Sequence, residues 1–120
     1  MNNEPKPTLF RPRVGKRGMT QLHYDAYCGN LEGLLWCLEN GFDVNETDDY
    51  RGYTPLHWLA DMAAVDGPRV DMLRALVAKG AELNRLSNTG QTAFMLARAA
   101  GHKGGDDLAA ELLKLGAESA

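Results

Sequence analysis

The stretch Asp49-Tyr50-Arg51-Gly52-Tyr53-Thr54-Pro55-Leu56-His57-Trp58-Leu59-Ala60 reads as a turn followed by a helix start. Thr54 is a good N-cap, and Pro55 fits the first helical position, where its missing N–H costs nothing. The same order stands upstream in Gly18-Met19-Thr20-Gln21-Leu22-His23 and downstream in Gly90-Gln91-Thr92-Ala93-Phe94-Met95. These Gly-x-Thr-x-apolar starts lie 34 and then 38 residues apart. Self-similarity at such a period is the mark of a repeat architecture.

Each start predicts a pair of helices. In the first repeat, Thr20 caps a short helix over about 21–28 that stops at Gly29-Asn30. A second helix follows over about 31–40, where Leu31, Leu34, Leu35 and Leu38 form one apolar face, and Gly41 ends it. In the second repeat, Pro68 opens a helix over about 69–79 with Val70, Leu73, Leu76 and Val77 as its buried face. In the third, Thr92 caps a helix over about 93–100 that ends at Gly101. His102-Lys103-Gly104-Gly105 reads as an extra mobile turn, and Asp106 or Asp107 as the cap of a last helix over about 108–115.

Composition places the chain among ordinary globular proteins, with 120 residues, 44% hydrophobic and 24% charged. No apolar run approaches the ~20 residues that cross a bilayer. The N-terminus shows no apolar signal region, so a cytoplasmic location is the expectation. The formal charge of −3 hides an asymmetry. Residues 1–17 hold Lys6, Arg11, Arg13, Lys16 and Arg17 against Glu4, whereas the other 103 residues carry a net −7. This basic arm also holds Pro5, Pro7 and Pro12, which favour an extended path, and Leu9, Phe10 and Val14, which suit it to lie across the first repeat. Cys28 and Cys37 form no metal-ligand pattern and are expected to be reduced.

The pattern resembles the ankyrin repeat. Asp49, Gly52, Thr54, Pro55, Leu56, His57 and Ala60 carry the resemblance in the second repeat, with Gly80, Ala81 and Asn84 at its close. Gly18, Thr20, Leu22, His23, Ala26, Gly29, Leu31, Gly41 and Asn45 carry it in the first. The third departs most, with Phe94 and Met95 where Leu and His are usual. The resemblance implies an all-α solenoid of three helix-turn-helix repeats over about 18–51, 52–89 and 90–118, behind the N-terminal arm. It makes Thr20, His23, Thr54, Pro55, His57 and Thr92 structural. Against this frame the second repeat is enlarged at 63–67, and the third near 102–105.

The resemblance also implies a protein-binding function, exercised by the inter-repeat turns and the exposed side of each first helix. The positions so marked are Met19, Tyr24, Tyr27 and Cys28; Tyr50, Arg51, Tyr53, Trp58, Asp61 and Met62; and Asn88, Thr89, Gln91, Leu96 and Ala99. All four tyrosines and one of the two tryptophans fall in this set. Tyr and Trp dominate interface hot spots. An exposed mixed surface follows as the expectation, with Tyr24, Tyr27, Tyr50, Arg51, Tyr53, Trp58, Asp61, Met62 and Gln91 as partner-binding residues, flanked by the acids Asp25, Asp48 and Asp49. Trp36 reads as packing on the second helix. No cofactor, metal or small-molecule substrate is expected, and the chain reads as a monomer that binds another protein, as an inhibitor or self-protection protein. The alternatives are a scaffolding domain and nucleic-acid contact through the basic arm, which the acidic body opposes. Catalysis would rest on Cys28 with His23, but residues five apart do not face each other on a helix.

Overall fold

The computed structural model describes residues 18–62 and 67–118. The N-terminal arm and most of the 63–67 enlargement lie outside these residues. Among the described residues there are six helices: α1 (Gln21–Cys28), α2 (Leu31–Glu39), α3 (Pro55–Asp61), α4 (Arg69–Ala78), α5 (Ala93–Ala100) and α6 (His102–Lys114). They stack as three helix pairs. An inner layer runs α1–α3–α5 and an outer layer α2–α4–α6, joined by extended turns. The fold is the all-α repeat solenoid that the resemblance implies.

The helix starts follow from the three threonines. Thr20, Thr54 and Thr92 adopt extended backbone, and each side chain accepts from the backbone N–H three residues on. Such a cap stabilises by about 1 kcal/mol. At the first two, the histidine at that third position completes a reciprocal capping box. Met95 cannot reciprocate at the third, so α5 starts with one bond fewer.

Leucine supplies the core between the layers. Leu22, Leu34, Leu59, Leu73, Leu76, Leu108 and Leu112 are fully buried. On α4 the buried residues are Arg69, Met72, Leu73 and Leu76, so the apolar face is rotated from the predicted one. Val70 and Val77 are only partly covered. Arg69 turns inward because its guanidinium serves the ends of two inner helices. It donates to the carbonyls of Ala26 at 3.0 Å, Tyr27 at 3.2 Å and Leu59 at 3.4 Å. Helix C-termini leave carbonyls without helical donors, and a cation there is favourable.

Asparagines tie each repeat to the next. The Asn45 amide donates to Gly80 O at 3.1 Å and accepts from Glu82 N–H at 2.9 Å. Asn84 accepts from Glu118 N–H at 2.8 Å.

The predicted mobile turn at 102–105 is corrected: it is the first turn of α6, and neither Asp106 nor Asp107 caps a helix. Gly105 is buried against α5, where an added Cβ would lie 2.5 Å from Ala97 O. Gly105 is therefore a close-approach position that lets α6 pack on α5.

Candidate functional site

The inner-layer face of the first two repeats is built on a turn braced by one carboxylate. Asp48 is 4% exposed. Its Oδ1 accepts from the backbone N–H groups of Tyr50 at 3.2 Å, Arg51 at 2.9 Å and Tyr53 at 3.2 Å. Its Oδ2 accepts from Trp58 Nε1–H at 2.7 Å. Its own N–H donates to Tyr53 O at 2.9 Å. In the third repeat Ser87 fills the same role. Its Oγ accepts from Thr89 and Gln91 N–H at 3.3 and 3.2 Å, and its N–H donates to Gln91 O at 2.9 Å. Sequence matching put Asp49 at this position. The middle turn holds one more residue between the bracing side chain and the glycine than the third does, so the role passes to Asp48.

The histidines lock the turns to the helices. Thr20 N–H donates to His23 Nδ1 at 3.1 Å, which leaves the proton on Nε2 to donate to Glu46 O at 2.8 Å and Tyr53 O at 3.1 Å. Likewise Thr54 N–H donates to His57 Nδ1 at 3.0 Å, and His57 Nε2 donates to Arg85 O at 2.9 Å and Gln91 O at 3.0 Å. Burial lowers both imidazole pKa values below 6.5. Both ring nitrogens of His23 are thus engaged, Nδ1 by the Thr20 N–H and hydroxyl and Nε2 by two backbone carbonyls.

On this base lies a row of aromatic rings. Tyr24 and Tyr27 are 6.2 Å apart, Tyr27 meets Trp58 edge-on at 5.4 Å, and Trp58 meets Tyr53 edge-on at 5.0 Å. The Arg51 guanidinium lies 5.0 Å from the Tyr50 ring centre and 5.6 Å from that of Tyr53. It also pairs with Asp61 at 3.6 Å and donates to Tyr53 Oη at 3.4 Å. Edge-on rings and stacked guanidinium groups are favourable arrangements. The row crosses from α1 over α3 to the turn between them.

Exposure divides the expected surface. Tyr24 and Tyr50 are 45% and 49% exposed and Arg51 is exposed, whereas Tyr27, Asp61, Met62 and Gln91 are partly covered. Tyr53 and Trp58 are corrected from exposed to buried, at 1% and 2%. The acids Asp25 and Asp48 are buried as well. Trp58 turns in because its indole finds Asp48; Tyr53 turns in because it stacks on His57 at 5.2 Å. Both rings form the floor of the site. Tyr24, Tyr50 and Arg51 form its open rim.

Asp25 sits beneath the rim and accepts from Gln21 Nε2–H at 2.9 Å, Asn30 Nδ2–H at 3.4 Å and Cys37 Sγ–H at 3.6 Å. Burial raises its carboxyl pKa, and burial with the Asp25 charge pushes the Cys37 thiol up to about 12. Gly33 makes the room, since an added Cβ would lie 2.6 Å from Asp25 Oδ2. Further along, Phe94, Met95, Arg98 and Ala99 line an open depression on α5. Among the described residues no group of three His, Cys, Asp or Glu side chains is placed to hold a metal ion.

Comparison with known proteins agrees with this architecture. The family model for ankyrin repeats, in three copies, matches residues 22–119. The chain is 43% identical over 60 residues to acyl-CoA-binding domain-containing protein 1 of Arabidopsis thaliana, covering 50% of this chain and 16% of that one. It is 38% identical over 69 residues to the 2-5A-dependent ribonuclease of Mus musculus, covering 58% of this chain and 9% of that one. It is 38% identical over 85 residues to dauer abnormal formation protein 25 of Caenorhabditis elegans, covering 71% and 21%. The matches thus span less than a quarter of these relatives. Ankyrin repeats are in general protein–protein interaction modules without catalytic activity of their own. The three matched repeats, the stacked helix pairs and the threonine–histidine starts agree: the chain belongs to the ankyrin repeat family.

Proposed function

We propose that the chain binds a partner protein through the aromatic face of its first two repeats and acts by covering that partner's surface. The observation that carries this is the row itself: exposed Tyr24, Tyr50 and Arg51 set on a buried Tyr53–Trp58 floor. Rings fixed before binding lose little entropy when a partner arrives, which is how a small face gains affinity. Tyr27, Asp61, Met62 and Gln91 complete the contact as half-covered neighbours. The mode of action is that of an inhibitor or self-protection protein, with the acidic body drawing in a partner of basic rim. Both cysteines are free thiols, in keeping with a reducing cytoplasm.

The test is capture from source lysate by the intact chain and by Tyr24→Ala/Tyr50→Ala, beside Leu35→Ala/Trp36→Ala on the outer helix α2. Both pairs are exposed, so both variants should fold. Loss of the same captured protein in the first variant and retention in the second is the expected outcome. The reverse pattern would move the binding face to the outer layer.

A further inference from the structure

The inner layer ends on a face whose cover can be read from the two repeats before it. In the first repeat, Leu22, His23 and Ala26 are buried where α3 packs on α1. His23 reaches Tyr53 O just ahead of α3, and Tyr27 meets Trp58 on it. In the second repeat, Leu56, His57 and Ala60 are buried where α5 packs on α3, and His57 reaches Gln91 O. Counted from the capping threonines, Phe94, Met95, Arg98 and Ala99 hold the same places on α5. They line an open depression of about 420 Å³, with Arg98 and Ala99 exposed.

All four lining residues belong to one helix, so the depression has a single wall. A small molecule needs enclosure over most of its surface. A helix laid along α5 brings the second wall itself, as α3 does for α1 and α5 does for α3. The charge of the face sets what kind of helix fits. Arg98 stands where the first two repeats hold Ala26 and Ala60. Arg51, Arg69, Arg74 and Arg85 each meet carboxylate or carbonyl oxygens. The Arg98 guanidinium lies 5.8 Å from the Phe94 ring centre and meets no carboxylate among the described residues. A carboxylate is the group that matches its fork of donors. α5 itself carries no acid, so a second copy laying its own α5 here would bring two Arg98 side chains together without a counter-charge.

We propose that the end of the inner layer docks an amphipathic helix of a partner protein, with an aspartate or glutamate against Arg98 and small apolar side chains over Phe94, Met95 and Ala99. The helix can be short, since α3 covers α1 with seven residues. This site is separate from the aromatic row on α1, α3 and the turn between them, and it stands whether or not that row is a binding face.

The test is selection on the full chain of phage-displayed helical peptides of about 18 residues, long enough to hold a helix alone, with one face randomised. Selected peptides that shift the Met95 methyl resonance are then compared. They are expected to carry an acid among apolar residues on that face. Arg98→Glu, changed at an exposed position and so expected to fold, should weaken them about tenfold, and selection on that variant should draw a basic residue in place of the acid. Tyr24→Ala/Tyr50→Ala should leave their binding unchanged, which separates this site from the aromatic row. The proposal is overturned if no selected peptide shifts Met95, if those that do carry no acid, or if their binding survives Arg98→Glu. A Met95 shift that grows with chain concentration alone assigns the face to a second copy and overturns it as well.

Discussion

Asp48 holds three backbone N–H groups and an indole N–H, while its neighbour Asp49 is exposed. Removing a buried acceptor orphans its donors at about 1–3 kcal/mol or more. Asp48→Ala is therefore expected to lower unfolding free energy by about 3 kcal/mol in urea, and Asp49→Ala by less than about 0.5 kcal/mol. Equal effects would return the turn to Asp49. In the sequence Asp49 only carried the resemblance and Asp48 only flanked the surface; the bracing role of Asp48 was not legible, because the register depends on an extra turn residue whose effect appears only when Trp58 folds over. The same long-range partner hid the burial of Trp58: an indole at a helix position facing the turns is floor or rim according to whether an acceptor lies below it. The histidines carry a pH dependence. Both have pKa values lowered below 6.5 by burial, so the unfolded chain binds more protons just below 6.5. Stability is then full above that value and is lost as the pH falls through it toward the lowered folded values. Asp25, whose pKa is raised above 3.8, acts in the opposite sense at lower pH. Urea midpoints should fall between about pH 7.5 and about pH 5.5, and the fall should be shallower in His57→Gln.

At the scale of the element, the threonine starts were the most legible feature, because a cap acts within three residues and shows in local sequence. α1 and α5 run over the residues that the caps and glycines imply. α6 was not legible at its start. Glycine pairs mark either a turn or a close approach, and only the position of Ala97 O on α5 decides between them. Gly105→Ala forces a Cβ against that carbonyl and is expected to cost about 1–3 kcal/mol as an overpacked helix contact. Gly104→Ala, exposed on the same turn, is expected to gain up to about 1 kcal/mol from helix propensity. Thermal unfolding of the two variants checks the pair; equal and opposite shifts are not required, but a stabilised Gly105→Ala would return the segment to a loose turn.

For the whole molecule, cohesion is graded along the stack. His23 joins the first repeat to the second turn, and His57 joins the second to the third. Met95 has no such reach, and α5 lacks a capping box. A stack is held by nearest-neighbour interfaces, so its least connected end opens first. Amides of α5 and α6 are expected to exchange with solvent faster than those of α3 and α4, and protection equal to that of the second repeat would contradict the graded picture. The aromatic face sits on the better-braced repeats, where a fixed surface serves binding. Hydrogen exchange of the full chain with and without its captured partner tests that face most directly. Protection gained over residues 24–28 and 49–53, with α2 and α4 unchanged, is the outcome expected of binding through the aromatic rim. Protection confined to α2 and α4 would place the partner on the outer layer and contradict it.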